Sequence, residues 1–165
     1  NSLNNILLVF LVSILSITIL NFPKAKIFMG DSGAYLVGFL ISFFVIETSN
    51  LNPLISPFFF CIILFYLFFE VIFSFFRKIL LKKNPLLPDK NHMHMLIYRA
   101  LENKFLFSKI NSNFTTSVII NLTYTLIIIP PIFFMDNNPY CKFYFISCLI
   151  VYLISYGLLI KNKVN

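Results

Sequence analysis

Charge is scarce in this chain and tryptophan is absent: of 165 residues, only 12% are Asp, Glu, Lys or Arg, while 59% are hydrophobic. A soluble domain carries about a quarter charged residues, so water is not the principal solvent here. Cys61, Cys141 and Cys148 have no CxxC or metal spacing. Cys61 and Cys148 lie in apolar runs, where a thiol behaves as a small hydrophobe. No disulfide framework is implied. The first apolar run lacks the basic n-region and small-residue cleavage site of a secretory signal. The chain opens at Asn1 rather than Met, which reads as a truncation.

Long apolar runs are present instead: roughly Asn5 to Phe22, Gly33 to Ile46, Ser56 to Phe76, Ser117 to Met135 and Phe143 to Ile160. All but the second approach the ~20 residues that a helix needs to cross a bilayer. The second crosses only if it also uses residues from Asp31 to Glu47. The fold class expected is an all-α polytopic transmembrane bundle of about five spans, with residues 1–165 forming one integral membrane domain. Pro130 and Pro131 should kink or end the fourth helix.

Basic residues orient it. If the chain starts outside and crosses five times, twelve of the 13 Lys and Arg lie inside and only Lys142 outside. This positive-inside pattern makes the segments around Asp31 and His92 cytoplasmic. The net charge of +7 then reflects topology, and nucleic-acid binding has little support. Within the polar loop 77–113, Met93, Leu96, Ile97, Ala100, Leu101 and Phe105 recur at helical spacing. That pattern predicts an amphipathic helix lying on the cytoplasmic membrane face.

Three places hold candidate chemistry. In Lys26-Ile27-Phe28-Met29-Gly30-Asp31-Ser32-Gly33-Ala34, Asp31 is placed to cap the following helix. A carboxylate beside free helix N–H groups can also hold Mg²⁺ or a metal-bound phosphate. In Pro88-Asp89-Lys90-Asn91-His92-Met93-His94-Met95, His92 and His94 converge only if the helix begins at or after His94, since residues two apart diverge on a helix. Converging, they could bind diphosphate oxygens or a metal; otherwise they sit in a solvated loop. An HxH pair alone is a weak zinc signal. Glu70, at membrane depth, either faces a cavity or partner or snorkels toward Arg77 or Lys78.

Together the two motifs resemble the polyprenyl-phosphate N-acetylhexosamine-1-phosphate transferases, the MraY/WecA-like group also called glycosyltransferase family 4. The run from Asn21 to Phe39 is similar to the family's FMGD-S/A-G signature, and Pro88 to Arg99 resembles its PD-x-x-H-x-H-H segment. Met95 stands where many members have a third histidine, and Glu70 where many have aspartate. The resemblance implies a Mg²⁺-dependent enzyme, with Mn²⁺ an alternative. Such an enzyme passes sugar-1-phosphate from a UDP-N-acetylhexosamine or related UDP-sugar to undecaprenyl phosphate and releases UMP. It also implies catalytic and metal-binding duty for Asp31, donor binding by His92 and His94, and a site in the bacterial inner membrane serving cell-wall or lipopolysaccharide synthesis. A homodimer is compatible with it. The family's DDxxD-like and Asn-x-x-Asp-Gly segments do not occur here, so the 165 residues are expected to be a C-terminal portion, inactive alone. The alternative is a non-enzymatic interaction or transport protein whose carboxylates line an ion path.

Overall fold

The computed structural model describes residues 2–22, 26–85, 87–105 and 109–164. Residues 23–25 of the first motif, with the expected inside residue Lys24, and residues 86 and 106–108 of the polar loop lie outside the described residues. Every regular element is helical: α1 (Ser2–Asn21), α2 (Gly30–Leu51), α3 (Pro57–Ile63), α4 (Phe65–Leu80), α5 (Met93–Phe105), α6 (Lys109–Ile132) and α7 (Asn138–Val164). Four of them, α1, α2, α6 and α7, are long and apolar enough to cross a membrane, and α3 with α4 makes a fifth if the bent pair is one span. The chain is a multi-pass membrane protein.

The run from Ser56 to Phe76, expected as one span, is broken. α3 and α4 meet at 78°, and the joint is Leu64, whose backbone (φ −98°, ψ 5°) leaves helical geometry. Ser56 starts α3 by accepting the Phe58 N–H at 3.2 Å, with Pro57 at the first helical position, where its missing N–H costs nothing. α4 closes in a Schellman turn: the Lys83 N–H reaches the Lys78 carbonyl at 2.8 Å and the Lys82 N–H the Ile79 carbonyl at 2.9 Å. Lys82 takes the left-handed position, at φ 53°, that such turns usually give to glycine. Pro130 and Pro131 fall in the last turn of α6, which ends at Ile132 as a proline pair favours.

The chain divides into two compact units, Asn1–Ile46 and Glu47–Asn165. In the first, α1 and α2 pack through contacts such as the stacked Phe10 and Phe44 rings, 5.9 Å between centroids. In the second, one core gathers Phe65, Met93, Leu96, Cys148, Tyr152 and Tyr156 from α4, α5 and α7. A smaller one holds Phe59, Ile62 and Cys141 between α3 and α7. Met93 and Leu96, two positions of the amphipathic stripe of α5, are buried against the aromatic surface that α4 and α7 offer.

Candidate active site

Asp31 sits in the first unit. The chain turns into α2 at Gly30, whose φ of 70° is accessible to glycine at little cost. The helix starts there, so Asp31 occupies its first turn rather than capping it. A carboxylate in that turn still meets the positive end of the helix dipole. The side chain is exposed and makes no hydrogen bond among the described residues. Gly33 keeps the shoulder of the motif small: a Cβ there would lie 2.5 Å from Met29 Cγ. The preceding segment is held by Asn21, whose Oδ1 accepts the N–H groups of Lys26 and Ile27 at 3.1 and 2.9 Å.

The second unit builds a polar network on one face of α4. Glu70, Ser74 and Arg77 recur at i, i+4 and i+7, so their side chains line one stripe. Glu70, only 8% exposed, does not snorkel to Arg77 or Lys78. Its Oε1 accepts the Met93 N–H at 2.8 Å and lies 3.0 Å from His92 Nδ1. Its Oε2 accepts the Tyr152 hydroxyl from α7. A carboxylate taken from water needs such donors to offset its lost hydration. About two turns on, Arg77 pairs with Asp89 and donates to the Asn91 carbonyl at 2.8 Å. Its guanidinium lies 5.3 Å from the Tyr156 ring centroid. Asp89 also accepts the Ser74 hydroxyl at 2.6 Å and the Asn91 N–H at 3.0 Å. Burial pushes the Asp89 carboxyl up, but Ser74, the Asn91 amide, Arg77 and His92 together outweigh it and hold it below the usual carboxylate range. Lys78 donates to the Pro85 and Leu87 carbonyls, and Tyr156 donates to the Asn91 carbonyl at 3.0 Å. The loop between α4 and α5 is thus tied down along its length.

The histidines meet in a way that simple spacing does not anticipate. α5 begins at Met93, one residue earlier than convergence was expected to require. His92 nevertheless precedes the helix, and its carbonyl accepts the Leu96 N–H at 3.0 Å. Freed from helical geometry, its ring lies beside that of His94, 5.6 Å between centroids and 9° from parallel. Burial lowers the His94 pKa; Glu70 opposes this and His92 adds to it. The structure thus brings together His92, His94 and Glu70, within the unit that does not contain Asp31.

Tyr152, Tyr156 and Ser74 were not singled out from the sequence. Their signal was there: two tyrosines four apart on α7, matching the four-residue step of Glu70 and Ser74 on α4. Tyrosine passes as apolar in a hydropathy reading, although its hydroxyl needs a partner when buried. Among the described residues, no group of three or more His, Cys, Asp or Glu could hold a metal. Mg²⁺ does not require one, since it commonly takes one or two carboxylates and fills its shell with phosphate oxygens and water. The open lone pairs of Asp31 fit that role.

Comparison with known proteins bears out the resemblance. Residues 1–49 match the family model described as Glycosyl transferase family 4. An undecaprenyl-phosphate alpha-N-acetylglucosaminyl 1-phosphate transferase of Thermotoga maritima is 34% identical over 86 residues, 49% of this chain and 26% of that protein. One from Haemophilus influenzae is 32% identical over 100 residues, covering 54% and 27%. A probable undecaprenyl-phosphate N-acetylglucosaminyl 1-phosphate transferase of Bacillus subtilis is 36% identical over 91 residues, covering 53% and 25%. The matched region spans about a quarter of the length of these relatives. No solved structure matches.

Proposed function

We propose that this chain, a relative of the family 4 glycosyl transferases, contributes the phosphate-handling residues of an enzyme moving sugar-1-phosphate from a UDP-N-acetylhexosamine to undecaprenyl phosphate. The observation that carries this is the His92–His94 pair at the start of α5, its first ring braced by a buried carboxylate. Imidazole N–H groups and a helix N-terminus both favour phosphate oxygens, and a solvated loop would need no such brace. In the reaction, a lipid phosphate oxygen bonds to the sugar-bearing phosphorus. The bond from that phosphorus to the bridging oxygen breaks, and UMP leaves. Such transfers need positioning and charge neutralisation more than covalent help from the protein. Asp31 would hold Mg²⁺, which when bound neutralises phosphate charge. His92 and His94 orient the donor diphosphate.

The positive-inside rule supports crossing by the bent α3–α4 pair. If it turned back, the basic residues from Arg77 to Lys109 would fall outside. Crossing assigns the cytoplasmic side, where nucleotide sugars are made, to each motif.

The test uses bacterial membranes carrying the product of the complete gene, given radiolabelled UDP-N-acetylglucosamine, undecaprenyl phosphate and Mg²⁺. The expected result is a lipid-soluble, diphosphate-linked labelled sugar with equimolar UMP, abolished by chelation. Absence of labelled lipid with this donor and its common epimers, in membranes where the protein is present, would sink the reading. It would favour the interaction or transport alternative.

A further inference from the structure

We infer that Glu70 and Tyr152 are positioning residues that hold His92 with its proton on Nδ1 and turn Nε2 toward the donor diphosphate; this rests on the function proposed above. Oε1 of Glu70 accepts the Met93 amide, which can only donate, and His92 Nδ1 lies 3.0 Å from the same oxygen. A carboxylate oxygen has no hydrogen to donate and has lone pairs enough to accept both the Met93 N–H and an Nδ1–H. Toward that carboxylate Nδ1 must be the donor, and the hydrogen bond at one imidazole nitrogen fixes the role of the other.

Nε2 makes no hydrogen bond among the described residues, and the His92 side chain keeps 27% of its surface, against 10% for Glu70. The His94 ring, nearly parallel at 5.6 Å, limits rotation of the imidazole. Tyr152, 6% exposed, is wedged edge-on against Phe69 and Phe73. Its hydroxyl thereby fixes the carboxylate from the side opposite His92. Neither Glu70 nor Tyr152 needs to touch substrate.

An ionised diphosphate only accepts hydrogen bonds, so the complex requires Nε2–H while Nδ1–H remains on Glu70. Bound His92 is an imidazolium, its second proton taken from water and its charge set against Glu70. The other titratable groups facing this pair are Asp89 with its partner Arg77, His94, Tyr66 and Tyr152.

The 165 residues contain only two histidines, so this chain labelled with ¹⁵N-histidine and free of any histidine tag reports two imidazoles, assigned by His94→Gln, while kinetic constants are read on the product of the complete gene. Without ligand, above the pH at which imidazoles are neutral, His92 is expected to show protonated Nδ1 and bare Nε2. UDP-N-acetylglucosamine or inorganic pyrophosphate should convert both nitrogens to imidazolium values. Glu70→Ala should shift His92 to the Nε2–H form and raise the donor KM about tenfold with a smaller change in kcat, and Glu70→Asp should restore part of both.

Because Glu70→Ala also frees the Met93 amide, Tyr152→Phe serves as the second variant. It should keep the Nδ1–H form yet raise KM about threefold. A wild-type His92 in the Nε2–H form, or unchanged KM in both Glu70→Ala and Tyr152→Phe, overturns the inference. The expected tautomers in a protein with no transferase activity would support the positioning and refute the proposed function.

Discussion

Asp31 and Glu70 are both carboxylates in helices of a chain with only six acidic residues, and their surroundings are opposite. Asp31 stands exposed in the first turn of α2 with no hydrogen bond among the described residues. Glu70 is buried and receives donors from α5, from α7 and from the residue before α5. Buried behind three partners, the Glu70 carboxylate is turned away from any ligand and acts through what it holds. Open lone pairs beside a helix N-terminus leave Asp31 able to take a hard cation. On the function proposed above, the difference separates a group that would meet substrate from one that would prepare another group to do so.

The largest effect should come from breaking the exposed side of this contrast. Asp31→Asn alters charge and not volume. It is expected to lower kcat by a factor on the order of 10²–10³ while leaving membrane insertion, read by protease accessibility, unchanged. Wild-type turnover would erase the distinction. Next is the buried side: Arg77→Met leaves Asp89 without its guanidinium and should cost about 3 kcal/mol, seen as a lower Tm in detergent. An unchanged Tm would mean that the network is ornamental. Third, His92→Ala should raise the donor KM by roughly tenfold and His94→Ala by less, since only His92 is braced. Equal effects would count against the Glu70 relay.

Two smaller tests sharpen the picture. Lys82→Gly relieves a left-handed lysine and should stabilise by about 1 kcal/mol; a lower Tm would show that the lysine side chain outweighs the strain. The last concerns pH. The folded state holds His94 below its ordinary value of 6.5, so the unfolded chain binds the proton first. Stability should therefore fall as pH drops through that value and level off below the folded one. His94→Asn should flatten that slope in Tm measured between about pH 8 and about pH 5. A slope identical to wild type would refute it.

Much of this was legible in the sequence. The spans were readable because a helix crossing lipid must be long and apolar, and α5 because its stripe is periodic. The break at Leu64 was not, since Phe60-Cys61-Ile62-Ile63-Leu64-Phe65 offers neither proline nor glycine and hydropathy carries no angle. Asp31, His92 and His94 stood out as polar residues in motifs. The partners of Glu70 did not, because a bond to residues 22 and 82 positions away is a tertiary fact.

The capture of the Met93 amide by Glu70 has a bearing on the order of assembly. α5 has 13 residues, too few to persist alone in water, and its first amide is secured by a helix synthesised earlier. Its companion Tyr152 arrives only with α7. During biosynthesis, then, Glu70 gains its bond from Tyr152 only after α7 has been delivered.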